Sequence, residues 1–575
     1  MPIVKSFKEL EQKNNMITST SYRFLSGPYE AMVQEWVQKA EKQGLVKRLW
    51  GRDATLWKKS PKDHAEIVSR LGWLSIVHPM KDRAVNLKAF ADEIRKEGIA
   101  HIVLLGMGGS SLAPEVFQTV SGNKPGYPEL LVLDSTDPLK VRDIQEKIDL
   151  GKSLFVVSSK SGGTIELISF YKYFFEKVKA VEGDKAGQRF VAITDPGSPL
   201  EKLAKENNFR RVFLAPEDVG GRFSALTYFG LVPAALIGAD IDKILRGAEK
   251  MMDDSSLAVT YQDNSSLVLG IAMAVLAEEG RDKLTLVTPE NLESFGDWAE
   301  QLVAESTGKE EVGIVPVVRE RLEKPEAYGN DRFFVALVPR NLKNIEEFEA
   351  RLNLLAAAGH PVLILTMRDA YDLGAEFFRW EYATAVACSL LKINAFDQPD
   401  VQAAKNSAKA ILKKLEETGE LPVRQTEISL DNFWENADTG NYVAVLAFLP
   451  DRREVKARLG QLIGKIRNST KLAATLGFGP RYLHSTGQLH KGGANNGIFI
   501  LITAAHTEDL PVPGEKYSFA QLELAQAMGD FEALETKGRW LVHLRAENDT
   551  EKSLNDVCEK IEAALTALQG QSSSQ

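Results

Sequence analysis

Cysteine is nearly absent from this chain: of 575 residues, two are cysteines, Cys388 and Cys558, and they lie far apart. Neither belongs to a CxxC pair, which excludes a disulfide framework or a zinc knuckle as the organising device. Long apolar runs are missing too. The longest, such as Ile498 to Thr503, are strand-sized, well short of the ~18 residues that cross a bilayer. The opening residues Met1-Pro2-Ile3-Val4-Lys5 lack the apolar stretch of a signal peptide. A cytoplasmic chain with no membrane partner is therefore expected. Positive charge is in deficit: 70 Lys and Arg stand against 79 Asp and Glu, for a formal net charge of −9. A surface of this sign repels polynucleotide phosphate on average, so no nucleic-acid partner is expected. A small phosphate ester remains possible, because a few aimed amide N–H groups outweigh a diffuse field. None of the 8 histidines stands with cysteine or carboxylate at metal-ligand spacing. Neither metal nor cofactor is expected on that ground.

What is present is the 44% hydrophobic, 26% charged balance of a globular protein, at a length that calls for several packing units. Up to residue 97 the periodicity is helical. Val33, Trp36, Val37 and Ala40 follow the i, i+3, i+4, i+7 rule, as do Leu87, Phe90, Ala91 and Ile94, with Gly98 as the stop. From Ala100 short apolar runs alternate with helix-length segments: His101–Gly106, Leu130–Asp134, Ser153–Ser159, Phe190–Asp195 and Arg211–Leu214. Such runs suit strands buried on both faces. The alternation predicts a doubly wound parallel sheet. A second set follows at Lys283–Thr288, Phe333–Val338 and Pro361–Met367, and a third at Tyr442–Leu449, Gly497–Thr503 and Trp540–Leu544. The expected division is a helical segment over 1–97, α/β units over 98–240 and 241–417, and a further α/β unit over 418–575. The polar end, Gln569 to Gln575, is expected to fray.

Two small-residue loops stand at strand ends in the first unit, Gly106-Met107-Gly108-Gly109-Ser110-Ser111 and Ser158-Ser159-Lys160-Ser161-Gly162-Gly163-Thr164. In a 2-1-3-4-5 strand order, these loops flank the crevice where open α/β sheets bind ligands. Glycine permits close backbone approach, helix N-termini aim amides at an anion, and hydroxyls add donors. Gly109, Ser110, Ser159, Lys160, Ser161 and Thr164 are thus candidate phosphate contacts. A glycine-rich turn can also be a mere tight connection. The first loop carries Ser111 where a dinucleotide fingerprint needs its third glycine, and it lacks the ending of an ATP-binding loop.

These loops, with Thr194-Asp195-Pro196-Gly197-Ser198-Pro199, resemble the sugar isomerase (SIS) domain. Three further stretches narrow the likeness to the phosphoglucose isomerase family: Asp218-Val219-Gly220-Gly221-Arg222-Phe223-Ser224, Gln301 through Lys309, and Asn394 through Lys405. The whole chain is most similar to the isomerase half of bifunctional transaldolase/phosphoglucose isomerases. The resemblance implies two SIS-type parallel-sheet domains, interconversion of glucose 6-phosphate and fructose 6-phosphate, and a homodimer. It implies roles as well: Glu305 as the base that carries a proton between C2 and C1, Arg222 as the fixed cation beside the enediolate, and Lys405 in ring opening. Gln301, one helical turn before Glu305, and Gln398 would contact the sugar.

The ring-opening histidine that the family places between its glutamate and its lysine has no counterpart in Val315 to Phe334. Leu483-His484-Ser485-Thr486-Gly487-Gln488 resembles the family's histidine motif, displaced beyond Lys405. His484 is therefore expected to enter the site from the C-terminal unit or from a neighbouring subunit, with His490 in reserve. His360, before Pro361, reads as a structural turn histidine, and Trp380 and Tyr382 as core. Two other functions stay open: a sugar-phosphate sensor that has lost the chemistry, and an isomerase that also takes mannose 6-phosphate.

Overall fold

The structure, a computed structural model, describes residues 22–572 except 425 and 427, and the side chains of 22–568 except those two. Met1 to Lys5 and the last three residues of the polar end lie outside the described residues. Three sheets carry the fold. The first runs, edge to edge, Glu129–Leu133, His101–Gly106, Ser153–Ser158, Phe190–Thr194 and Arg211–Leu214, all parallel. This is the 2-1-3-4-5 order, so the strands His101–Gly106 and Ser153–Ser158 are neighbours and their two loops leave side by side.

The second sheet repeats the scheme. Val315–Val317, Lys283–Val287, Arg332–Pro339 and Val362–Met367 are parallel, and Tyr22–Phe24 closes the edge antiparallel to Val362–Met367. The opening segment is therefore not wholly helical, as its periodicity predicts. Tyr22-Arg23-Phe24 is too short for any period to register, and it is a strand only because a paired edge awaits it. The third sheet is again parallel, in the order Ala473–Phe478, Tyr442–Phe448, Gly497–Ala504 and Trp540–Ala546. The expected fraying of the C-terminus is corrected in part: the last helix, Glu551–Ser572, runs on through Ser572.

The cores are continuous across these sheets. One apolar cluster joins the N-terminal helices (Val33, Leu87, Phe90) to a face of the first sheet (Ile102, Val156) and to the second (Leu284, Val335). Another joins Ala304 and Val317 of the second unit to Tyr442, Leu446 and Phe499 of the third. The third unit thus packs on the helix Glu293–Thr307, which carries Gln301 and Glu305. Trp380 and Tyr382 are fully buried core residues. His360 is buried as well, and its carbonyl accepts from the Ser26 hydroxyl at 2.6 Å. Both cysteines are buried and free.

Candidate active site

The two small-residue loops do more than turn. Gly108 has φ +54°, and a Cβ there would lie 2.6 Å from the His484 carbonyl oxygen. At Gly109 a Cβ would lie 2.1 Å from the carbonyl oxygen of Gly221. Glycine at these positions lets the first loop press against both the Arg222 turn and the His484 loop. In the second loop, Ser159 Oγ accepts from the Gly162 amide at 3.1 Å and lies 3.2 Å from Thr164 Oγ1. Ser161 is exposed and Ser110 buried. Lys160 is engaged: its Nζ donates to Asp195 Oδ2 at 2.6 Å.

Arg222 sits in the one-turn helix Gly221–Phe223 and is 2% exposed. Its guanidinium is held on three sides. Nε donates to Ser306 Oγ (2.8 Å), and Nη2 to the carbonyls of Ala395 (2.5 Å) and Asp397 (3.1 Å). The remaining arm, Nη1, faces Glu305 Oε2 at 3.4 Å. Glu305 itself is 4% exposed. Gln398 Nε2 (3.2 Å) and Gln301 Nε2 (3.5 Å) also donate to Oε2, so among the described residues every donor to this carboxylate converges on one oxygen and Oε1 accepts from none. Burial raises the Glu305 carboxyl above its ordinary value, and the charges of Arg222, His484 and Lys405 pull the other way. A carboxylate with one oxygen anchored and the other unengaged, at a raised pKa, has the form of a general base.

His484 comes from the third unit of the same chain. Its Nε2 lies 2.8 Å from Glu166 Oε1, and its backbone carbonyl accepts from Gln301 Nε2 at 2.7 Å. Glu166, in the first turn of the helix Ile165–Glu182, is buried. Desolvation opposes its charge, but His484 and Lys405 beside it hold it below the ordinary value. Gln526 adds a hydrogen bond to the same Oε1 at 2.7 Å and accepts from Thr136 Oγ1 at 2.9 Å. Lys405, exposed on the helix Val401–Thr418, makes no hydrogen bond or ion pair among the described residues, yet its charge reaches both Glu166 and Glu305. Close packing holds that helix. A Cβ on Gly529 of the facing helix Phe519–Thr536 would lie 2.8 Å from the Ala408 nitrogen. His490 stands apart, buried among Tyr442, Tyr482 and Phe499, with Nδ1 3.0 Å from Tyr442 Oη. Burial holds its pKa well below the ordinary histidine value.

Sequence reasoning missed Glu166 and Lys309. Lys309 is fully buried and donates to the carbonyls of Asn394 (2.8 Å) and Asp397 (2.7 Å) and to Asp397 Oδ1 (2.8 Å). It ties the loop that bears Gln398 to the end of the helix that bears Glu305. Burial pushes its ammonium down to about 8. Lys309→Met removes the donor from the Asn394 carbonyl and Asp397 Oδ1, while the Asp397 carbonyl keeps Arg222. It is expected to cost about 1–3 kcal/mol of stability and to raise KM through a loosened Gln398, read by denaturant melts and steady-state kinetics.

Comparison with known proteins identifies the family. The family model described as phosphoglucose isomerase matches residues 77–320. The glucose-6-phosphate isomerase of Methanocaldococcus jannaschii is 30% identical over 353 residues, covering 55% of this chain and 85% of that protein. The chain belongs to the phosphoglucose isomerase family. The glucose-6-phosphate isomerase of Prochlorococcus marinus is 31% identical, with 56% of this chain and 68% of that protein covered. Among solved structures, a glucose-6-phosphate isomerase from Chlamydia trachomatis matches with TM-score 0.57 at 19% identity, over 72% of this chain and 92% of its own. A hypothetical protein from Thermus thermophilus matches with TM-score 0.58 at 24% identity, over 69% and 100%. At those identities the likeness speaks for the fold. No helix among the described residues is long and apolar enough to cross a membrane.

Proposed function

We propose that this chain is an aldose–ketose isomerase interconverting glucose 6-phosphate and fructose 6-phosphate. The observation that carries the reading is the buried Glu305 carboxylate, anchored through Oε2 by Arg222, Gln301 and Gln398, with Oε1 unengaged. The substrate phosphate lies in the cradle of Gly109, Ser110, Ser159, Ser161 and Thr164. Lys160 adds its charge from beside Asp195. Ring opening needs an acid at the ring oxygen and a base at the O1 hydroxyl. His484, oriented by Glu166 through Nε2 and left with Nδ1 for proton exchange, serves with Lys405. Glu305 Oε1 then takes the C2 proton and returns it to C1. The enediolate charge that builds between these events falls beside Arg222, whose three fixed contacts mean that it need not reorganise. A homodimeric state, a cytoplasmic setting and the likeness to the isomerase half of bifunctional transaldolase/phosphoglucose isomerases belong to the same proposal.

A coupled assay of the full chain with glucose 6-phosphate tests the reading. Steady fructose 6-phosphate formation is expected, whereas saturable binding without turnover would make the protein a sensor. His484 is tested separately. His484→Ala is expected to lose about 10²-fold in kcat/KM on ring-closed substrate and little on an open-chain phosphosugar of the same length. Rates equal to the parent on both would remove His484 from the mechanism.

A further inference from the structure

A second polar cluster lies where the first unit meets the third. Asp137 caps the helix Pro138–Lys147 through Oδ1, which accepts from the amides of Leu139 (2.8 Å) and Lys140 (3.1 Å). Its other oxygen, Oδ2, is buried and has no hydrogen-bond partner among the described residues. Toward it point His506, from the loop after Gly497–Ala504, and Glu523, on the helix Phe519–Thr536. Asp549, after Trp540–Ala546, completes the group. His506 Nε2 lies 2.5 Å from Glu523 Oε2, while His506 Nδ1 is 3.9 Å from Asp137 Oδ2 and 3.6 Å from Asp549 Oδ2. All four side chains are at least nine-tenths buried: Asp137 0%, Glu523 2%, Asp549 2% and His506 7% exposed. His506 Nδ1 and Glu523 Oε1 also lack hydrogen-bond partners.

Three buried carboxylates around one imidazole are short of positive charge. The guanidinium of Arg452, whose charge reaches Asp137 and Asp549, is itself committed to Asp143 at 2.9 Å. Such a cluster is costly unless a cation enters it. One ligand atom from each of Asp137, His506 and Glu523 lies within 4.8 Å of the other two. Ions bound at about 2.0–2.2 Å by imidazole and carboxylate hold ligand atoms roughly 3–4 Å apart, so a small inward movement suffices.

We infer that Asp137, His506 and Glu523, with Asp549 as a fourth ligand or outer support, form a site for one divalent transition-metal ion of the zinc or manganese kind. The mixed imidazole–carboxylate set favours such ions over calcium, which takes six to eight oxygens. The ion would staple the first unit to the third. Gln526, one turn on from Glu523, reaches both Thr136, the neighbour of Asp137, and Glu166, the partner of His484. The ion would therefore act on the framework of the active site and not on the sugar. No metal spacing is visible in the sequence because the ligands come from four separated segments.

The test uses the full chain, stripped with EDTA, desalted and then titrated with zinc or manganese chloride. One ion per chain retained through a second desalting, with a thermal midpoint several degrees above the stripped protein, is expected. X-ray absorption of the zinc-loaded parent should give a first shell of oxygen and nitrogen with one imidazole. Asp137→Asn and Glu523→Gln should each weaken binding at least tenfold. No retained ion, an all-oxygen or sulfur-containing shell, or binding unchanged in both variants would overturn the site. None of these readouts depends on isomerase activity, so the site and the proposed function stand or fall separately.

Discussion

Glu305→Gln is expected to lower kcat for glucose 6-phosphate by about 10²–10⁴-fold, with substrate affinity within a few-fold of the parent. The substitution is isosteric, and the amide oxygen can still accept from Arg222, Gln301 and Gln398. The site should therefore keep its shape and lose only the group that holds a proton. Glu305→Asp separates presence from placement. The carboxylate is retained but drawn back by one methylene, and a misplacement of ~1 Å costs on the order of 10²-fold. The parent's pH dependence follows from the same residue. Burial raises the Glu305 carboxyl above its ordinary value, and the base form predominates only above that raised value. The rate should consequently fall on acidification at a higher pH than an ordinary glutamate would dictate, and the acidic limb should vanish in Glu305→Gln. A variant that turns over within threefold of the parent, or one that keeps the limb, would mean that another group moves the proton.

Much of this arrangement was legible in the amino-acid order, and the reasons are specific. The three central strands of the first sheet are rich in Val, Ile, Leu and Phe because both their faces are covered, and the alternation with helices fixes the sheet's parallel sense. The motif residues Arg222, Gln301, Glu305 and Gln398 come together because Gln301 and Glu305 share one buried helix face, while Arg222 and Gln398 reach it from a one-turn helix and a loop. Strands that a partner imposes were harder to see. Val315–Val317 is three residues with a central proline. Ala473–Phe478 is thinned by Thr475 and Gly477, and Gly477 is needed because a Cβ there would meet Tyr482 at 2.8 Å. Residues that act through another residue left the faintest signal. Glu166 looks like an ordinary acid in a helix's first turn, and only the fold brings His484, 318 positions away, to it. One overlooked pattern was readable. Glu523, Gln526 and Asp530 form a polar stripe at i, i+3 and i+7 on the helix Phe519–Thr536, and all three are buried. Asp530 holds Tyr482 Oη at 2.7 Å and Lys491 Nζ at 2.6 Å, the anchors on either side of His484. A buried polar stripe of this kind predicts partners even when it cannot name them.

Arg222→Met is expected to cut kcat/KM by about 10²–10³-fold, the scale of losing a preorganised group at developing charge. It should cost stability as well, since the Ala395 carbonyl and the Ser306 hydroxyl lose their donor at about 1–3 kcal/mol for each group left buried and unpaired, while the Asp397 carbonyl keeps Lys309. A purely structural arginine would show the second effect and, through it, some of the first, so the deciding measurement is the pH profile. Arg222 is the strongest of the charges that hold the Glu305 carboxyl down against burial. With the guanidinium gone, that carboxyl rises further, and the acidic limb of kcat/KM must move to higher pH. A structural scaffold would lower the plateau and leave the limb where it was. Arg222→Lys sharpens the comparison, because an ammonium restores the charge but cannot reach Ser306, Ala395, Asp397 and Glu305 in one plane. The limb should return toward its parental position while the plateau stays low. That pattern would separate the electrostatic work of Arg222 on Glu305 from its fixed geometry beside the enediolate.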